Sequence, residues 1–236
     1  MWSKEDKQIN YDIFNKTYNE HGYSHDGLGW AKGKQAIRFD MLTEDFGLNT
    51  KGKDISILDI GCGFAQLGVF LKHKYKDTFI KYTGIETVAS IYQEAVNQTQ
   101  EYDFILLNDD FFDTKLSNFD ICVASGIFNA KLSTDDNYNQ IEQSMQKAFN
   151  LCNIGIAYDF LSDTASIQHE INHYASASEI LKISQKLSKN VLLKHNYMPF
   201  EFSVIIFKDD SFKRETTLFQ KYEREKNITD IYSIVL

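Results

Sequence analysis

The stretch Ile55-Ser56-Ile57-Leu58-Asp59-Ile60-Gly61-Cys62-Gly63 decides the reading of this chain. It is a short apolar strand that ends in an acid and a glycine turn. A helical pattern follows, Gln66-Leu67-Gly68-Val69-Phe70-Leu71. A strand that stops in Gly-x-Gly and restarts as a helix brings bare backbone close to a ligand. The helix N-terminus beyond it offers unpaired N–H groups and the positive end of a dipole. Glu86 closes the next apolar strand, 23 residues beyond Gly63. That is near the separation at which a carboxylate grips a ribose in a βαβ unit. The pattern points to a nucleoside-bearing cofactor.

The spelling of the turn narrows the cofactor. A dinucleotide fold usually has Gly-x-Gly-x-x-Gly, and here Gln66 fills the third place. Asp59, just before the turn, would repel a pyrophosphate and suits a ligand with a cationic end. Leu58-Asp59-Ile60-Gly61-Cys62-Gly63 resembles the first motif of the class I S-adenosylmethionine-dependent methyltransferases. Ala65 departs from that motif, which commonly has a third glycine there.

Composition sets outer bounds. The 236 residues suit one α/β domain with decorations. A net charge of −8 argues against nucleic acid as the main partner, since phosphate binding normally leaves a basic footprint. No signal-peptide pattern opens the chain and no apolar run reaches membrane-spanning length. Cys62, Cys122 and Cys152 lack metal-ligand spacing and read as reduced, buried thiols of a cytoplasmic protein.

Periodicity extends the pattern along the chain. It predicts helices over 6–20 and 31–46, the second with Ile37, Met41 and Leu42 on one face. Strands are predicted at 55–60, 80–85, 102–107, 119–124 and 153–160, with helices at 65–75, 88–98, 135–151 and 177–187. Strands 191–197 and 201–208 form a hairpin through Met198-Pro199-Phe200. A helix near 214–226 and an apolar end, Ile231–Leu236, close the chain. The alternation argues a parallel sheet with right-handed crossovers. The expected fold is α/β: a Rossmann-like class I methyltransferase domain, with a mostly parallel seven-stranded sheet and an antiparallel terminal hairpin strand. It spans 1–236, with a helical lead-in at 1–50, the core at 51–208 and an extension at 209–236.

Ligands of such sheets sit beyond the carboxyl ends of the strands. The resemblance assigns roles there. Gly61, Cys62, Gly63 and Gln66 would pass under the methionine part of S-adenosylmethionine, with S-adenosylhomocysteine as product. Asp59 would face its cationic end. Glu86 would accept both ribose hydroxyls, and Asp109 or Asp110 the adenine amino group beside Phe111. Ser125 and Gly126 would meet the cofactor's amino group, and Arg38 could clamp its carboxylate. Gly29-Trp30, Gln35 and Arg38-Phe39, with Tyr197, Glu201 and Phe202, also resemble a methyltransferase group found near bacterial surface-polysaccharide genes. That implies a small acceptor such as a sugar, a sugar nucleotide or a phosphorylated headgroup, methylated on oxygen or nitrogen.

For a hydroxyl acceptor the sequence offers His195 as general base, at the end of the sixth strand, then His173. Tyr197, Tyr158 and Asn129 would shape the acceptor pocket. His169-Glu170-Ile171-Asn172-His173 satisfies a zinc pattern literally, but in a polar segment poor in apolar periodicity. No metal is expected, and 161–176 reads as a lid. Alternatives are a non-catalytic cofactor-binding subunit, a metal-assisted methyltransferase using His169 and His173, and a nicotinamide enzyme. Oligomeric state is open.

Overall fold

A computed structural model of the chain describes residues 4–29, 34–49, 54–133 and 136–226. The predicted apolar end Ile231–Leu236, Trp30, and the first residues of the helices predicted over 31–46 and 135–151 lie outside the described residues.

Seven strands form one sheet in the order β3-β2-β1-β4-β5-β7-β6. They are β1 Asp54–Ile60, β2 Phe79–Glu86, β3 Ile105–Asn108, β4 Phe119–Ala124, β5 Cys152–Leu161, β6 Val191–Met198 and β7 Glu201–Phe207. The pairs β1·β2, β2·β3, β1·β4 and β4·β5 are parallel. The last strand, β7, inserts antiparallel between β5 and β6, as the hairpin predicts. Helices α3 Gln66–Lys74, α4 Ala89–Gln98, α5 Asn137–Leu151 and α6 Ala177–Leu187 make the crossovers. Ahead of them stand α1 Lys4–His21 and α2 Gln35–Thr43; α7 Gln220–Lys226 follows the sheet.

Both faces of the sheet are covered, which explains why its central strands read as unbroken apolar runs. Successive side chains of a strand point to opposite faces. Ile57 accordingly packs with Leu42, Leu67 and Leu71 of α2 and α3. Its neighbour Leu58 packs in the other cluster, with Met145 and Ile180 of α5 and α6. The predicted face of α2 is corrected in part: Leu42 is buried as expected, but Ile37 is exposed, and the helix buries Gln35 and Arg38 instead. Arg38 can be buried because Glu201, far along the chain, meets it there.

From β1 the chain moves outward through β2 and β3, then returns to place β4 on the other side of β1. This reversal opens a crevice beyond the carboxyl ends of β1 and β4, the usual ligand position in such sheets. Helix α1 roofs the crevice and is pinned at its edges. Lys7 Nζ pairs with Asp110 (2.7 Å) and Asp113 (2.8 Å), Tyr18 donates to Glu94 (2.9 Å), and Ser133 donates to Asp6 through Oγ (2.8 Å). The result is a cavity of about 1300 Å³. No helix among the described residues is long and apolar enough to cross a membrane.

Candidate active site

The floor of the cavity is the turn after β1. Gly61 and Gly63 take φ of 67° and 54°, where a Cβ is costly. The N–H groups of Gly61 and Cys62 both donate to the Ile85 carbonyl (2.8 and 3.1 Å), which ties the turn to β2. A Cβ on Gly61 would stand 2.4 Å from Ile127 Cγ2, so this glycine also permits a close approach to the loop after β4. Ala65, where the motif commonly has glycine, keeps the left-handed conformation (φ 58°, ψ 26°). The departure in sequence therefore places an alanine in a conformation that glycine adopts more easily, and stores strain there. Gln66 opens α3 and lines the cavity.

Four acids line the cavity around this floor. Asp59 is buried and accepts from the Tyr82 hydroxyl (2.5 Å). Burial pushes its carboxyl up to about 7; the Tyr82 bond opposes this, while Glu86 and Asp159 add to it. Glu86 is buried, and burial raises its pKa too. One of its oxygens accepts the Gly63 N–H (3.0 Å) and the other the Val88 N–H (2.8 Å). The backbone and side chain of Thr87 bond it as well, so Glu86 is held in place from several sides. Asp109 is exposed, lines the cavity and accepts the Asp110 N–H (2.8 Å). Asp110 also lines it, but is bound to Lys7 and to the Phe112 N–H (2.7 Å). Phe111 is buried beside them, with Lys147 Nζ over its ring at 4.9 Å. Burial raises the Cys62 thiol well above its ordinary value, which keeps it a neutral wall atom.

The end of β4 is held by a residue to which the sequence reading gave no role. Asp159, buried on β5, accepts from Ser125 Oγ (2.5 Å) and from the Gly126 N–H (2.6 Å). Burial and then Glu201 push its carboxyl up to about 7, against its hydrogen bonds and Arg38. Its signal in the sequence was an acid at the end of an apolar strand. Arg38 departs from the expected free clamp. It donates from Nε to Glu201 Oε2 (2.5 Å) and from Nη2 to Oε1, a bidentate buried pair joining α2 to β7. Arg38, Glu201, Ser125 and Gly126 all line the cavity.

The predicted catalytic residues are placed differently. His195 does not line the cavity. It is exposed on the outermost strand β6, its ring 5.7 Å from that of Phe202. The β6–β7 register breaks between Lys194 and Met198, and such a bulge re-aims side chains that simple alternation would point inward. Tyr197 also stands off the cavity. Burial and the neighbouring Asp159 raise its hydroxyl far above the ordinary value. Tyr158 is fully buried against Ser144 (3.1 Å). Asn129, by contrast, does line the cavity.

His173 packs its ring edge against Tyr138 (5.2 Å) and does not line the cavity. The zinc pattern is not on a helix: residues 162–175 form a flap fixed by isolated bridges. One end is held where the Ser162 N–H donates to the Phe200 carbonyl (2.8 Å) and the Ala175 N–H to Leu161 (2.7 Å). The other is held where the Lys131 and His173 N–H groups donate to Ile171 and Asn129 (both 2.9 Å). His169 and His173 therefore face different surroundings. Among the described residues no three His, Cys, Asp or Glu are grouped to hold a metal ion. Of the six histidines, His169 is the one that lines the cavity, and the sequence reading had considered it only as a metal ligand.

Known proteins were compared with this chain. No family model matches it. The Mycobacterium tuberculosis H37Rv protein Rv1506c, which carries a provisional methyltransferase name, is 27% identical over 161 residues, covering 65% of this chain and 93% of its own. The magnesium protoporphyrin IX methyltransferase ChlM of Synechocystis PCC 6803, solved with bound SAH, is similar with a TM-score of 0.61 and 13% identity, over 86% of this chain and 99% of that one. DhpI, in complex with SAH, gives 0.62 and 12%, over 86% and 97%. An S-adenosylmethionine-dependent methyltransferase of Clostridium acetobutylicum gives 0.58 and 14%, over 80% and 98%. With its strand order, its inserted antiparallel strand and these likenesses, the chain has the fold of the class I S-adenosylmethionine-dependent methyltransferases.

Proposed function

We propose that this protein is an enzyme that transfers a methyl group from S-adenosylmethionine to an oxygen or nitrogen of a small acceptor, releasing S-adenosylhomocysteine. The observation that carries the reading is Glu86. It is buried at the end of β2, fixed by the glycine turn itself, and lines the cavity. A pair of ribose hydroxyls is what such a carboxylate can take. The residues present fit the rest of the cofactor. Asp109 offers a carboxylate to an adenine amino group, since Asp110 is drawn away by Lys7. Asp59 and Glu86 present acceptors and no positive charge to the cavity, which suits a ligand with donor groups and gives a pyrophosphate no partner; Glu201 is already paired with Arg38. Asp159 fixes the Ser125–Gly126 backbone against which the methionine end would lie.

When bound, S-adenosylmethionine supplies a methyl carbon that leaves its sulfur, with the bonding pair staying on sulfur, as the acceptor's lone pair forms the new bond. The protein's part is mainly alignment and exclusion of water. Gly61, Gly63 and Ser125–Gly126 set the donor side, and the flap closes the acceptor side. His169 takes the proton of a hydroxyl acceptor; imidazole is suited to that step at neutral pH. The acidic balance of the chain supports a small molecule over nucleic acid as partner.

Thermal unfolding with added nucleosides tests the reading. S-adenosylmethionine and S-adenosylhomocysteine at a hundred times their Kd should each stabilise the fold by about 2.7 kcal/mol. NAD at the same concentration should leave the midpoint unchanged. Stabilisation by NAD alone would overturn it in favour of a nicotinamide enzyme.

A further inference from the structure

One wall of the cavity carries none of the groups assigned to the cofactor. It is built from the flap, the β6–β7 turn and the loop after β4. Leu161, Ile167, Ile171, Met198, Pro199 and Phe200 line it. Ile167 and Ile171 are 75% and 71% exposed on the flap. A single exposed isoleucine is ordinary, but two that face one cavity across from a proline and a phenylalanine form an apolar surface for whatever the cavity holds. Its polar lining groups are the amides of Asn129, Asn172 and Gln140, with Ser166, His169 and Tyr174 of the flap. Asn129 Oδ1 and Gln140 Nε2 are buried without a hydrogen-bond partner among the described residues. Such atoms are costly to leave unmet and are what a ligand's polar edge would satisfy.

Fixed cationic charge is missing from this wall, whose one basic side chain is the imidazole of His169. Segments 127–130, 161–174 and 198–200 place no lysine or arginine on the cavity. The lysines and arginine that do line it, among the described residues, are Lys7, Lys34 and Arg38, on α1 or at the start of and within α2. Lys7 is bound to Asp110 and Asp113, and Arg38 to Glu201. A phosphate brought against the flap wall would lose its water and meet no lysine or arginine in exchange.

We propose that this wall is the acceptor site, and that it takes an uncharged molecule with an apolar body and a hydroxyl or amine on its polar edge. A sugar nucleotide or a phosphorylated headgroup does not suit it. The inference rests on the methyl-transfer reading above, because it is that reading which assigns the opposite wall to the cofactor.

The test uses the full chain saturated with S-adenosylhomocysteine. It is titrated with 2-naphthol, followed by the probe's fluorescence, and separately with UDP-glucose, followed by calorimetry. We expect saturable binding of 2-naphthol and no heat from UDP-glucose. The double variant Ile167→Ser/Ile171→Ser should weaken 2-naphthol binding by about tenfold or more, with S-adenosylhomocysteine affinity unchanged within about twofold as the check that the fold is intact. No saturation by 2-naphthol, binding of UDP-glucose in its place, or 2-naphthol binding indifferent to the double variant would each overturn the proposal. Failure of the unaltered chain to bind S-adenosylhomocysteine would instead overturn the underlying reading.

Discussion

Ala65 shows how a single residue can hold a shape its chemistry disfavours. An L-residue in the left-handed region costs roughly 1–2 kcal/mol relative to the right-handed one, and Ala65 accepts this with its methyl fully buried. Glycine would relieve the strain but lose about 0.8 kcal/mol of methyl burial and gain unfolded-state entropy. We expect Ala65→Gly to change stability by less than about 1 kcal/mol. Ala65→Val puts a β-branched side chain into a positive φ and a filled core, so denaturant unfolding should show a loss of about 2–4 kcal/mol. Asp59 and Asp159 give a second signature at this scale. Each carboxyl ordinarily titrates near 3.8 and is held at about 7 in the fold, chiefly by burial. Between those values the folded chain binds more protons than the unfolded one, so stability falls as pH rises through the window. The slope is at most about 1.4 kcal/mol per pH unit for each group. Urea midpoints from pH 5 to pH 8 should therefore decline, and Asp159→Asn, which stays neutral, should make the decline shallower. Parallel profiles for variant and unaltered chain would show that Asp159 titrates normally.

Among the elements, those whose signals are local were readable from the sequence and those fixed by distant partners were not. Strand β1, its turn and α3 form one continuous pattern, and the structure places them at 54–60 and 66–74 against the expected 55–60 and 65–75. The hairpin of β6 and β7 was legible from the tight turn at Pro199. Its effect on His195 was not, because the register break in β6 is a property of the assembled sheet. Arg38 read as a ligand clamp because its partner Glu201 lies 163 residues away. The flap carries a zinc-like pattern whose meaning depends on being helical; instead Glu170 and Ile171 make a single turn, closed by the Asn172 N–H to the His169 carbonyl (3.0 Å), and Asn172 bridges to Ala130. That placement moves the expected base from His195 and His173 to His169. We expect His169→Asn to keep S-adenosylhomocysteine affinity within about twofold while methyl transfer to a hydroxyl acceptor, followed with a radiolabelled methyl donor, falls by roughly a hundredfold or more. Equal loss in His195→Asn, or none in His169→Asn, would remove His169 from the chemistry.

At the scale of the whole molecule, the sheet's reversal at β1 and β4 opens a crevice and the rest of the chain divides it. The glycine turn, Glu86 and Asp109 furnish one side, the flap and hairpin the other, and α1 covers both. The cavity of about 1300 Å³ exceeds the usual range for one small ligand, roughly 300–1,000 Å³. That is the volume expected of a site that holds donor and acceptor together. Both ligands depend on the donor side being what its carboxylates indicate, and calorimetric titration of the purified chain with S-adenosylhomocysteine tests this most directly. One molecule should bind per chain, and Glu86→Ala should weaken it by at least about tenfold, since two ribose donors lose their buried acceptor. Absence of binding, or equal affinity in Glu86→Ala, would contradict the assignment of this cavity to S-adenosylmethionine.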